Sequence, residues 1–80
     1  MSARVILPES LNRLLRSELE RVIVESAMSR DDEIIARRYL VEKVAQIDIA
    51  AELGWERATV SRHMKYILPA VERVAYKLYT

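Results

Sequence analysis

Three cationic side chains and no acidic one lie between residues 57 and 65 of this chain. Arg57 and Arg62 each carry a guanidinium, which can donate two parallel hydrogen bonds to the paired acceptors on a guanine edge. The hydroxyl of Ser61 can donate or accept, and the methyl group of Ala58 can contact the methyl of a thymine. We therefore predict that these four residues contact base edges.

Phosphate contacts are predicted for three other residues. Lys65 carries a compact charge on the same polar side as the arginines, and Gln46 and Thr59 can each donate a hydrogen bond to a phosphate oxygen. The alternative is that each of these side chains is solvated and binds nothing. This alternative applies most readily to Lys65.

The apolar spacing in this segment predicts the helix that would position these side chains. Val60, Met64 and Ile67 recur at i, i+4 and i+7 and form one stripe, so the cationic side chains fall on the opposite side. We predict a helix over 57–67 with one packed face and one basic face.

A shorter helix and a tight turn precede this segment. Ile49, Ala50 and Leu53 stand on one side of a helix over about 46–53. Gly54, the only glycine, follows where helices commonly end in a left-handed residue. This is the layout of a helix-turn-helix, whose second helix lies in the major groove of DNA. An ordinary helical hairpin with solvated cations is the alternative.

Composition predicts a small all-α domain with this helix-turn-helix as its core. One glycine, two prolines and no phenylalanine leave few helix breakers and few strand formers. The 80 residues predict a single domain of about five helices, near the lower size limit for one core. The lack of cysteine excludes disulfides and thiolate zinc sites. Without a signal-peptide pattern or an apolar run near the roughly 18 residues that span a bilayer, we expect a cytoplasmic protein.

One long amphipathic helix is predicted over 8–28, after a frayed segment at 1–7. Pro8 suits a first helical turn, and apolar residues then recur at steps of three and four. The stripe could pack inside the domain or form a surface for dimerisation or a partner. The residues proposed for that surface are Leu11, Leu14, Leu15 and Val22.

Two polar or breaking residues set the remaining boundaries. Ser29, with Asp32 three residues later, resembles a capping box, so we predict a helix from about Arg30 to residue 42 or 43. Pro69 cannot donate to Lys65, so we predict that the helix stops there and a final helix restarts.

Residues 30–68 resemble region four of the sigma-70 family, the C-terminal promoter-recognition domain of bacterial sigma factors, and more loosely the LuxR-type helix-turn-helix. The matching pieces are DDEIIARRYL, DIAAELG and TVSRHMK; Thr59, Val60 and His63 in the last piece are shared with LuxR-type domains. The resemblance implies a stand-alone regulator of the kind found in phages and mobile elements. Glu56 departs from the pattern, since these families usually place Ser or Thr there.

These features predict a sequence-specific double-stranded DNA-binding transcriptional regulator that reads the major groove with helix 57–67. A homodimer is expected, because one such helix rarely supplies enough specific contact. The alternative is a protein-interaction module that docks on RNA polymerase or another regulator through helix 8–28 without reading DNA alone. The net charge of +1 favours the alternative, whereas the local cations favour the DNA reader.

Catalysis and metal binding find little support in the sequence. His63 is the only histidine and lacks partner ligands, so we predict a part-buried hydrogen bond rather than a metal site. Trp55 is predicted to fill the hinge between the two helices rather than to stack on a base. Without a glycine-rich loop or a carboxylate pair set against a base, we predict no enzyme activity and no cofactor.

Overall fold

A computed structural model describes residues 5–79 of the chain. All regular structure in this range is helical, which confirms the predicted all-α class and the count of five helices. The helices are α1 (Glu9–Asn12), α2 (Arg16–Glu25), α3 (Arg30–Ala36), α4 (Gln46–Leu53) and α5 (Arg57–Tyr79). The chain leaves α3 through a π-helical turn, Arg37–Val41. Of the segment predicted to fray, residues 1–4 lie outside the described range and residues 5–7 have no regular structure.

Helix α5 is the element on which the other four helices pack. Its 23 residues extend over about 34 Å at ~1.5 Å per residue, close to the 35 Å longest dimension of the domain. Buried side chains recur along it at steps of three or four residues: Val60, Met64, Ile67, Val71 and Ala75. One helix therefore supplies both the central seam of the core and a long outer face.

The rest of the core comes from single apolar faces of the shorter helices. In the described part of the chain, no polar or charged residue is buried. The core residues outside α5 are Leu11, Leu19, Val22, Ile23, Ile35, Ala36, Leu40, Ala45, Ile49 and Ala50. Ala50 is 3% exposed, and its small side chain allows α4 and α5 to pack closely.

The predicted single helix over 8–28 is wrong, because the chain breaks between α1 and α2. The backbone N–H of Leu15 donates to the Glu18 carboxylate (2.8 Å) and starts α2 as a separate helix. The break allows α1 to pack on the C-terminal half of α5, where the Ser10 hydroxyl donates to Glu72 (3.2 Å). It also leaves α2 free to pack on α5, α3 and the π turn.

The predicted restart at Pro69 is also wrong, because α5 continues through the proline to Tyr79. Ile67 and Val71 are buried on either side of it, while Pro69 itself is exposed. A proline inside a helix costs about 3 kcal/mol, and burying the apolar residues of the second half offsets that cost.

The predicted start of α3 is confirmed. The N–H of Asp32 donates to the Ser29 hydroxyl (3.3 Å), and Asp31, Asp32 and Glu33 occupy the first turn, near the positive end of the helix dipole. The π turn then carries the helix to Val41, one residue short of the predicted end. None of the helices within residues 5–79 is long and apolar enough to cross a membrane.

Candidate nucleic-acid interface

The turn between α4 and α5 fixes the start of the basic helix. Gly54 has φ +71°, in the left-handed region, as its position after Leu53 predicts. The N–H of Trp55 donates to the carbonyl of Ala50 (2.8 Å) and the N–H of Gly54 to that of Ala51 (3.3 Å). These two bonds form the Schellman arrangement that ends a helix at a left-handed residue.

The residues predicted to contact bases lie in the first two turns of α5. Arg57, Ala58 and Arg62 are exposed, and Ser61 is half-buried beside them. Lys65, predicted to meet phosphate, is exposed on the next turn. The predicted opposition of an apolar stripe and a basic face therefore holds for Ala58, Arg62 and Lys65. It is wrong for Arg57, which lies five residues and about 140° of helical rotation from Arg62 and is exposed because it begins the helix.

The two other predicted phosphate contacts have different surroundings. Thr59 is half-buried, and its hydroxyl accepts a hydrogen bond from the Arg62 guanidinium (3.3 Å), which orients the arginine along the helix. Gln46 is the first residue of α4 and is half-buried. Its amide group therefore lies on the helix that supports α5 rather than on α5.

Charge is segregated between α5 and the rest of the chain. Five of the 13 basic residues lie in α5, together with only one of the 12 acidic residues, Glu72. The rest of the sequence therefore carries eight basic and eleven acidic residues. The net charge of +1 is the sum of a basic α5 and an acidic remainder. In the described part of the chain, no carboxylate lies within ion-pair distance of Arg57, Arg62 or Lys65.

Acidic residues close to the turn are held by an arginine of the π turn. Arg38 pairs with Glu42 (2.6 Å) and with Glu52 of α4 (2.9 Å). Hydrogen bonding to Glu42, then the charges of both carboxylates, raise the pKa of Arg38 above its ordinary value. This pairing partly neutralises Glu52, which would otherwise repel an anion near α5.

His63 and Trp55 brace the inner side of the basic helix. The Nδ1 atom of His63 lies 2.5 Å from a carboxylate oxygen of Asp32, which joins α5 to the first turn of α3. The Trp55 ring lies 5.0 Å from the His63 ring and is half-buried against the core. The predicted part-buried hydrogen bond of His63 and the predicted hinge position of Trp55 are both confirmed.

The surface predicted for a dimer or a partner is largely internal. Leu11 and Val22 are completely buried, and Leu14 is half-buried against the core. Only Leu15, 67% exposed, is open to solvent. The prediction of an apolar docking surface formed by these four residues is therefore wrong, because the break before Leu15 turns their shared stripe into the core.

Sequence reasoning missed the second half of the basic face. The prediction ends this helix at Pro69 and so leaves Arg73 and Lys77 off the surface that carries Arg62 and Tyr66. All four are exposed and lie on one side of α5. The signal was the apolar stripe, which keeps its period from Val60 to Ala75 without interruption at the proline.

Comparison with protein-family models, with curated proteins and with solved structures found no match to this chain.

Proposed function

We propose that this chain is a sequence-specific double-stranded DNA-binding transcriptional regulator that places the first half of α5 in the major groove. The observation that carries the proposal is the exposed, acid-free outer face of Ala58, Arg62 and Lys65 on the helix after the Gly54 turn, with Arg57 exposed at the start of that helix. An α-helix fits the major groove, and arginine is the side chain that most often reads guanine there.

The start of α5 supports anion binding as well as base reading. The first turn of a helix carries a positive dipole end and unpaired N–H groups, which favour phosphate. Arg57 lies in that turn, which contains no acidic residue. Glu56, exposed just before it, opposes phosphate and is compatible with the groove only where it accepts from a cytosine amino group.

The proposal includes two copies acting on a two-fold site. One short recognition segment reads only a few base pairs, and dimeric readers place their helices about 34 Å apart along the duplex. This requirement rests on the number of base contacts and does not depend on the predicted leucine surface. Sites selected from random DNA should therefore contain two related half-sites about one helical turn apart.

The test is discrimination between a selected duplex and a scrambled one. We expect the double variant Arg57→Ala with Arg62→Ala to lose about 10-fold or more of its preference for the selected duplex, because each bidentate contact contributes about 1–3 kcal/mol. A matched control removes two exposed arginines from α2, Arg16→Ala with Arg21→Ala. If both double variants kept the preference of the parent protein, the proposed reading face would be wrong.

Burial weakens the alternative of docking through residues 8–28, since most of that apolar stripe lies in the core. It makes a separate prediction, that the purified protein does not retard random DNA even at low salt. RNA polymerase would then be the first partner to test.

A further inference from the structure

We infer that the C-terminal half of α5 is a second contact surface for nucleic acid, which binds the sugar-phosphate strand bordering the groove. This inference rests on the proposed function, because it extends the footprint of the same helix. The residues that form this surface are Tyr66, Arg73 and Lys77.

The continuity of α5 carries the argument. Arg62, Tyr66, Arg73 and Lys77 stand at i, i+4, i+11 and i+15, so their side chains share one outer face of an unbroken helix. Tyr66 is 78% exposed, and Arg73 and Lys77 are also exposed. This surface is therefore rigidly connected to the base-reading residues.

The distance between Arg62 and Arg73 along the helix indicates which part of the nucleic acid each residue contacts. Arg73 lies eleven residues beyond Arg62, or about 16 Å along the helix axis at ~1.5 Å per residue. The major groove of DNA is only about 12 Å wide. With Arg62 on the base edges, Arg73 and Lys77 reach past the groove to the phosphates at its edge.

Electrostatics favour a polyanion at this surface. The only acidic residue of α5, Glu72, accepts a hydrogen bond from Ser10 of α1 and is half-buried. The last turn of a helix carries a negative dipole end, which opposes phosphate. Lys77 lies in that turn and offsets the opposition.

Tyr66 contributes a neutral hydrogen bond, whereas Arg73 and Lys77 contribute positive charge. Its phenol group is exposed between the base-reading turn and Arg73, and a phenolic O–H can donate to a phosphate oxygen. Such a neutral hydrogen bond releases no counterion, so it contributes affinity without changing the salt dependence.

The test measures binding of a fluorescent duplex by anisotropy as KCl is raised from about 50 to 300 mM. Arg73→Ala with Lys77→Ala should reduce the slope of log affinity against log salt by about 2, since each phosphate contact contributes about 0.9. The loss should be equal for selected and scrambled duplexes, because phosphates carry no sequence information. Tyr66→Phe should weaken binding several-fold at an unchanged slope.

Two controls separate this inference from the proposed function. The α2 variant Arg16→Ala with Arg21→Ala removes the same charge and should leave the slope unchanged, so an equal reduction there would overturn the inference by showing a net-charge effect. A parent protein that binds DNA, with an Arg73→Ala, Lys77→Ala variant of unchanged slope, would overturn the inference alone. No binding by the parent at low salt would overturn the proposed function and the inference together.

Discussion

Within residues 5–79, three residues after helical segments lie in the left-handed backbone region, and one of the three is glycine. Gly54 follows α4 at φ +71°, Ala27 follows α2 at φ +51°, and Lys43 follows the π turn at φ +60°. A side chain in this region costs about 1–2 kcal/mol. The energetic contribution of Gly54 therefore lies in its backbone freedom, since nothing lies within 4 Å of where a Cβ atom would be.

A pair of opposite substitutions tests this backbone account. Gly54→Ala should lower the free energy of unfolding by about 1 kcal/mol, because alanine must adopt a left-handed conformation there. Ala27→Gly should raise it by about 0.5–1 kcal/mol, because glycine removes the same strain. Urea denaturation measures both. Changes of the same sign in the two variants would refute the account.

Side-chain roles near the turn could be predicted as far as local spacing determines them. The positions of Gly54, Trp55 and His63 followed from the turn and the apolar stripe. The partner of His63 could not be predicted, because Asp32 lies 31 residues away and the contact depends on how α3 packs on α5.

At the scale of elements, the wrong predictions of one helix over 8–28 and of a restart at Pro69 share one cause. The apolar period over 8–28 continues across a backbone break, whereas the period beyond Val60 continues across a proline that does not break the helix. Local signals decide where a helix can end, but burial against the rest of the domain decides where it does end. In both cases the deciding contacts join α5 to helices far from it in sequence, such as α1.

The continuity of α5 makes Pro69 a costly residue on an exposed surface. Pro69→Ala should raise the free energy of unfolding by about 1–3 kcal/mol, since it restores a donor to the carbonyl of Lys65 and removes the ring clash. Thermal unfolding followed by circular dichroism measures the change. An exposed alanine replaced by a different helix former, Ala58→Glu, should change stability by less than about 0.5 kcal/mol. A less stable Pro69→Ala protein would show that the packing requires the proline.

At the scale of the whole molecule, two leucines near the break between α1 and α2 have opposite environments, Leu11 in the core and Leu15 on the surface. Leu11→Ala should lower the free energy of unfolding by about 2–5 kcal/mol, because Leu11 is completely buried. Leu15→Ala, at an exposed position, should change it by less than about 0.5 kcal/mol. Denaturant titration at two protein concentrations measures both. A large, concentration-dependent loss for Leu15→Ala would instead restore a dimer surface at that residue.

The candidate site was predictable where it depends on one helix and not where it depends on the fold. A single apolar period predicts the basic face, and the structure places Ala58, Arg62 and Lys65 on one outer side. Arg57 is exposed at the start of the helix instead. The extension of the basic face to Arg73 and Lys77 required the unbroken α5. The separation of a basic helix from an acidic remainder also required the structure, because the net charge of +1 averages over both.

The central claim is that the outer face of α5 binds duplex DNA, and residue-level mapping tests it most directly. Titrating isotope-labelled protein with a duplex at low salt, followed by NMR, should shift the signals of Arg57, Arg62 and Tyr66 most strongly. The exposed residues of α2, such as Arg21, should shift little. Shifts concentrated on α2, or no shifts at about 50 mM salt where phosphate contacts are strong, would contradict the claim.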